Sequence, residues 1–372
     1  MNAKRNHSAA RIAVIGSGWW ATEAHIPGVL AHPDAELVAI CDTRPERLHT
    51  AARAFDVQRA YTDYREMLER EALDGAIVVT PHATHYAIAR DCLNHDLHVL
   101  LEKPMTLFAA DARDLVDLAT AHNRTLMMGY PYLFLPEVIQ ARDVLQSGEL
   151  GEVQYVTCTF ASNVFDFFTG EMRPERAPTP YRVQGPGSDY NDVSMTGGGE
   201  GHLQITHIAG LLFFVTRLRA ARVHALMANH GLPMDLVDAI TVAFDNGALG
   251  MIGGTGNAGR NYKMSLTVYS TQGCIDADTR RGQIAIRRAD GTEIALGESP
   301  RPDLRHATTH NLIDVILGRA EVGAPGEVGW RAVELLDAAY RSAAQKGQGI
   351  AVEDLYSSHA SPKGETYEDQ GH

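Results

Sequence analysis

The sequence predicts an α/β fold: an N-terminal doubly wound parallel sheet of the Rossmann type, followed by an α+β domain with a large, mostly antiparallel sheet. Three observations predict it. Short apolar runs alternate with helical patterns up to about Tyr130, the rhythm of βαβ units. The first run ends in a glycine-rich turn, Gly16-Ser17-Gly18-Trp19-Trp20-Ala21. Beyond Tyr130 the apolar spacing becomes alternating and is punctuated by hairpin dipeptides.

The elements follow in order. Apolar runs at 11–15, 36–41, 75–79, 98–101 and 125–128 are nearly continuous, which suits strands buried on both faces. Helical patterns lie between them at 45–55, 85–94 and 109–122. A helix over 136–146 then precedes alternating strands at 153–160, 222–228, 236–244, 248–253 and 263–270. Asp245-Asn246-Gly247 and Asp290-Gly291 read as hairpin turns. Val328, Ala332, Leu335, Leu336 and Ala339 form one face of a late helix. With 372 residues the chain suits two domains, 1–130 and 131–356, and a polar tail over 357–372.

A net charge of −13 disfavours nucleic acid and anionic membranes while leaving neutral polyols open. No apolar run reaches the roughly 18 residues of a membrane span. The basic, polar start lacks the apolar core of a secretion signal. Four scattered cysteines without a C-x-x-C fit a reducing cytoplasm. The histidines show no ligand spacing, so no metal is expected.

The glycine turn has the form G-x-G-x-x-A, between a strand and a helix. Gly16 allows the tight turn, Gly18 the approach of a pyrophosphate, and Ala21 close helix–strand packing. Asp42 ends the second strand, 24 residues after Gly18, where an acid meets the ribose hydroxyls of NAD. Otherwise Asp42 or Thr43 caps the helix starting at Pro45. Arg44 could meet a 2′-phosphate, but Asp42 favours NAD over NADP. Ser17, Trp19, Trp20, Thr43 and Arg44 complete this part of the expected cofactor site.

Glu102-Lys103-Pro104 follows the fourth strand. With the fingerprint, it resembles the glucose-fructose oxidoreductase / inositol dehydrogenase / rhizopine catabolism (Gfo/Idh/MocA) family across nearly the whole chain. Thr80-Pro81-His82-Ala83-Thr84-His85 is similar to that family's T-P-N-x-x-H, with His82 in place of the asparagine. The resemblance implies that Lys103 lies near the nicotinamide and the substrate hydroxyl. It also implies that Thr80, Pro81, His85 and Glu102 belong to the cofactor side. A partly desolvated lysine exchanges protons nearer neutrality.

The family's G-G-G-x-L-x-D-x-G-x-H resembles Gly197-Gly198-Gly199-Glu200-Gly201-His202-Leu203-Gln204-Ile205-Thr206-His207. The histidine is kept as His207 and the aspartate is replaced by Leu203. Leu203 can neither hydrogen-bond a substrate nor relay a proton. Gln204, three residues before His207 on a helix, is the first candidate to replace it. Glu200 and His202 are weaker ones. His207 and Lys103 are the expected catalytic pair, either one serving as base. Tyr130 and Tyr132, at the domain junction, are candidate pocket residues. Asp189, Asn191 and Asp192 read as either hydroxyl binders or turn residues.

The resulting expectation is an NAD-dependent oxidoreductase acting on a sugar, inositol or related polyol. An alternative is a glycosidase with retained NAD that oxidises, eliminates, hydrates and re-reduces. A non-catalytic nucleotide-binding regulator is the third reading. An open antiparallel sheet suggests a homodimer or homotetramer.

Overall fold

The computed structural model describes residues 9–171, 190–297 and 303–357. Six strands form a parallel sheet: β1 (Ala10–Ile15), β2 (Ala35–Cys41), β3 (Ala60–Tyr61), β4 (Gly75–Val78), β5 (His98–Leu101) and β6 (Leu126–Met128). Their order is β3-β2-β1-β4-β5-β6, so the chain reverses direction across the sheet between β1 and β4. The two ends of that switch carry the glycine turn and the Thr80-Pro81 turn, at the carboxyl ends where such sheets bind ligands. Val14, Ile40, Ile77 and Leu100 are fully buried, as expected for strands covered on both faces.

Helices Pro45–Phe55, His85–Asn94 and Pro136–Gln146 match the sequence reading residue for residue, and Ala109–Ala121 matches within one. The short β3 and the helix Tyr64–Arg70 escape it. A two-residue strand has no period to detect, and that helix buries only Met67 and Leu68.

The second sheet has nine strands: β7 (Val153–Ala161), β8 (Ala220–Ala228), β9 (Val237–Phe244), β10 (Leu249–Thr255), β11 (Lys263–Ser270), β12 (Gly273–Asp278), β13 (Gln283–Arg288), β14 (Glu293–Leu296) and β15 (Ile350–Ala351). The order is β14-β13-β12-β11-β7-β10-β9-β8-β15. Every pairing is antiparallel except β7 with β10. One face carries Val156, Phe160, Val223, Ile240, Val242, Ile252 and Leu266 into the main core, covered by helices Thr206–Thr216 and Gly326–Ala344. The other face exposes Leu226, Leu249, Met251 and Tyr269.

Two late segments return to the first sheet. The Met128 amide donates to the Ala324 carbonyl at 2.8 Å. The Ala109 amide, at the start of helix Ala109–Ala121, donates to Asp337 Oδ2 at 2.9 Å. Helix Leu304–Ile316 packs against the first helix of the nucleotide domain, with Thr309 against Gly28. No described helix is long and apolar enough to cross a membrane.

Candidate active site

A cavity of about 330 Å³ opens between the two sheets. From the nucleotide domain it is lined by Gly18, Trp19, Trp20, Thr80, Pro81, His82, Glu102 and Lys103, and from the second domain by Tyr132, Phe160, Leu203, Gln204 and His207, among others. Lys103 and His207, 104 positions apart in sequence, therefore face one space.

The glycine turn is held from beneath. Asp42 Oδ2 accepts from the Ser17 amide at 2.9 Å and from its hydroxyl at 3.1 Å, while Oδ1 accepts from the Arg44 amide at 2.9 Å. Gly16 has φ +97°, and a Cβ there would collide with the Val79 carbonyl. At Gly18 a Cβ would meet only the Arg47 guanidinium, at 3.4 Å. A helix starts at this turn, with the Thr22 amide bonded to the Gly18 carbonyl at 3.0 Å. An open glycine at a helix start and a nearby guanidinium together fit a dinucleotide pyrophosphate. Arg47 also lines the cavity. The sequence reading missed it, because one arginine on an exposed helix carries no pattern.

Glu102 fixes the Glu102-Lys103-Pro104 turn, whose Lys103–Pro104 bond is cis. Its Oε1 accepts from Trp20 Nε1 at 2.9 Å and lies 2.9 Å from His25 Nε2, and its Oε2 accepts from the Lys103 amide at 3.2 Å. Burial would raise its pKa. The His25 hydrogen bond and the charges of His25 and Lys103 outweigh that and hold it at about 2. His85 reaches the cavity only through the loops it holds: its ring nitrogens lie 2.7 Å from the Pro104 carbonyl and 2.8 Å from the Thr80 carbonyl. Asp42, Thr43, Arg44, Gly16 and Ser17 are not among the residues lining this cavity.

Lys103 Nζ donates to the Leu203 carbonyl at 3.1 Å. Burial lowers the lysine pKa, and the Glu102 charge offsets part of this. Leu203 lies in a π turn, Gly201–Ile205, that runs into helix Thr206–Thr216. Such turns widen a helix by one residue and recur at functional sites. His207 follows directly, ringed by Tyr132 and Phe160 with centroids 5.9 and 6.1 Å away. Burial first, then the Lys103 charge, pushes its pKa well below the ordinary histidine value. Its Nδ1 is buried without a partner. Two cations side by side are thus disfavoured here.

Of the softer sequence candidates, Tyr132 and Gln204 line the cavity and Tyr130 does not. Tyr130 is a core residue, 1% exposed, with its hydroxyl 3.0 Å from Thr206 Oγ1. His202 stacks on Tyr340 at 4.5 Å, away from the cavity. Glu200 is buried behind the turn, with its oxygens beside Gly254 and Gly256. Asp192 caps a short helix by accepting from the Ser194 amide at 2.9 Å, which is its turn reading, and Asn191 sits against Gly170. Asp189 lies outside the described residues. Val164, Phe167, Tyr190, Tyr262 and Arg280 also line the cavity. They come from a five-residue helix, Phe165–Thr169, and from turns and strand ends, all too short for periodicity to give a signal.

Residues 10–130 match the model of an oxidoreductase family with an NAD-binding Rossmann fold, and residues 138–276 match the GFO/IDH/MocA C-terminal domain. The chain belongs to the Gfo/Idh/MocA oxidoreductases. Among Gfo/Idh/MocA relatives, it is 34% identical over 150 residues to dTDP-3,4-didehydro-2,6-dideoxy-alpha-D-glucose 3-reductase of Saccharopolyspora spinosa, covering 40% of this chain and 45% of that one. It is 30% identical over 157 residues to the D-glucoside 3-dehydrogenase of Escherichia coli, covering 42% of this chain and 44% of the relative. The match thus spans less than half of these curated relatives. Levoglucosan dehydrogenase, solved with NADH and L-sorbose, shares the fold with a TM-score of 0.78 at 19% identity, over 93% of this chain and 99% of that one.

Proposed function

We propose that this chain is an NAD-dependent dehydrogenase of a sugar or related polyol, acting in the cavity between its two domains. The observation that carries the reading is that Lys103 and His207 line one cavity together with the glycine turn. Bound NAD supplies a hydride acceptor for oxidation, and NADH a donor for the reverse. The residues fitted to hold it are Gly16, Ser17 and Gly18 at the turn, Asp42 toward the ribose, and Thr80, Pro81 and Glu102 beside Lys103.

The chain's own work is proton transfer and orientation. Lys103, with its ammonium form disfavoured by burial, takes the hydroxyl proton in oxidation and returns it in reduction. His207, held neutral, orients that hydroxyl, and Gln204 takes over hydroxyl contacts that Leu203 cannot make. The aromatic walls around His207 exclude water, which strengthens each of these polar contacts.

Assembly through the open face of the second sheet is part of the proposal. Leu226, Leu249 and Met251 are 65%, 58% and 55% exposed along β8 and β10, too large an apolar strip to leave facing water. A second copy of the chain covers it in a homodimer or homotetramer.

The function is tested by NADH formation with a panel of sugars, inositols and glycosides, alongside a chromogenic glycoside. NADH that scales with substrate supports a dehydrogenase. Chromophore release without net NADH, or no reaction with any member, overturns it.

A further inference from the structure

The two ends of the cavity differ in chemistry. At the His207 end stand Gln204, Tyr132 and Arg280, with the Arg280 guanidinium 3.4 Å from the Tyr132 hydroxyl. At the Lys103 end stand Val164, Phe167, Tyr190 and Leu203, facing Trp19. These four belong to an apolar cluster of their own, apart from the main core and built on Val164, Phe168, Leu203, Met234 and Leu236. Its rings form a continuous aromatic wall: Trp19 to Phe167 at 6.4 Å, and Phe167 stacked on Tyr190 at 5.9 Å with 27° between planes.

A sugar hydroxyl buried against Val164, Phe167 or Leu203 would lose its water without gaining a partner from them. A fully hydroxylated polyol suits the His207 end and not this one. An aromatic substituent suits this wall, since offset and edge-on ring pairs add to the stabilisation from buried area. The side chain at 203 sharpens the point: the carboxylate expected there from the resemblance would accept a hydroxyl, whereas Leu203 is 4% exposed and packs into the apolar cluster.

We infer that the substrate is a glycoside whose sugar ring faces Lys103 and His207 and whose apolar, aromatic aglycone packs on the wall that Trp19, Phe167, Tyr190 and Leu203 present to the cavity. The inference rests on the dehydrogenase reading above and narrows its substrate. The reaction balances as a simple oxidation: the carbinol hydrogen leaves with its electron pair to NAD, the hydroxyl proton goes to Lys103, and the glycosidic bond stays intact.

The test is equilibrium binding to the NADH-loaded full chain, which needs no turnover. Phenyl and methyl glycosides of D-glucose, D-galactose and D-xylose are compared in both anomers. The expected result is a phenyl glycoside at least tenfold tighter than its methyl counterpart, with that ratio cut at least fivefold in both Phe167→Ala and Leu203→Asp. Equal affinities, no binding of any pair, or an unchanged ratio in the variants overturns the inference. So does a Phe167→Ala defect confined to NADH affinity, which would give the aromatic wall to the nicotinamide. Free sugars oxidised as efficiently as aryl glycosides would overturn it while leaving the dehydrogenase standing. Tenfold tighter phenyl binding without NAD reduction by any sugar would do the reverse.

Discussion

The Tyr340 hydroxyl donates to Asp235 Oδ1 at 3.0 Å, and the same carboxylate accepts the Gly199 amide at 2.7 Å on Oδ1 and the Gly201 amide at 2.8 Å on Oδ2. One carboxylate thus grips both ends of the turn that launches Leu203, Gln204 and His207. The glycines are required by this grip. A Cβ on Gly201 would lie 2.6 Å from the Tyr340 hydroxyl, and one on Gly199 would strike the Asp235 carbonyl. One helical turn earlier, Asp337 holds the nucleotide domain through Ala109, so the late helix spans both halves of the site.

Asp235→Asn is expected to turn an acceptor toward the glycine amides into a donor. It should cost on the order of 2 kcal/mol in chemical denaturation, and Tyr340→Phe about 1 kcal/mol. If Asp235 positions the catalytic helix, kcat in Asp235→Asn falls at least tenfold while the KM for NAD is unchanged. An unaltered kcat in a folded variant refutes that role.

Lys103→Ala and His207→Ala are each expected to lower kcat/KM by at least ~100-fold, the scale of general acid–base catalysis. Because burial lowers the Lys103 pKa, the rate of oxidation climbs with pH and levels off below the ordinary lysine range. The reverse reduction declines over the same interval. A pH profile of Lys103→Met that kept this limb would remove the lysine from the proton transfer.

Glu200 is fully buried with neither oxygen partnered, and burial first, then the Asp235 charge, raises its pKa to about 9. Its folded pKa exceeds its unfolded one. The stability it contributes is therefore complete below about pH 4.5 and is lost as pH rises through about 9. Glu200→Gln mimics the neutral acid. It should match the native chain at pH 4 and exceed it by on the order of 2 kcal/mol at pH 8. Parallel denaturation curves at both pH values would disprove the linkage.

Asp42→Ala leaves the Ser17 amide without its acceptor and takes a carboxylate from the proposed ribose position. NAD affinity should weaken at least tenfold, about 1.4 kcal/mol, and the preference over NADP should shrink. Titration of both nucleotides followed by protein fluorescence measures this, and an unchanged ratio rules out the ribose contact.

Met251→Asp plants a charge in the middle of the exposed sheet face, where Met251 pairs across the strands with Thr157 and Thr241. Light scattering on the native chain should give a dimer or tetramer and on the variant a smaller species. A monomeric native chain would leave the apolar face unexplained by self-assembly.

The sequence by itself determined the two architectures, the glycine turn, and the pair Lys103 and His207. Each rests on local signals: buried runs, hairpin dipeptides such as Asp245-Asn246-Gly247, and motif spacing that backbone geometry enforces within a few residues. Tertiary structure decided what stands around that pair. Tyr130 and Tyr132 are two residues apart in sequence, yet one is core and the other lines the cavity. Asp235 lies 36 residues beyond Gly199 and meets it only because the segment leading into β9 packs on the π turn. Phe167, Tyr190 and Arg280 converge from segments with no period of their own. Contacts of this kind depend on how sheets and helices pack across long stretches of chain, and no local pattern encodes that packing.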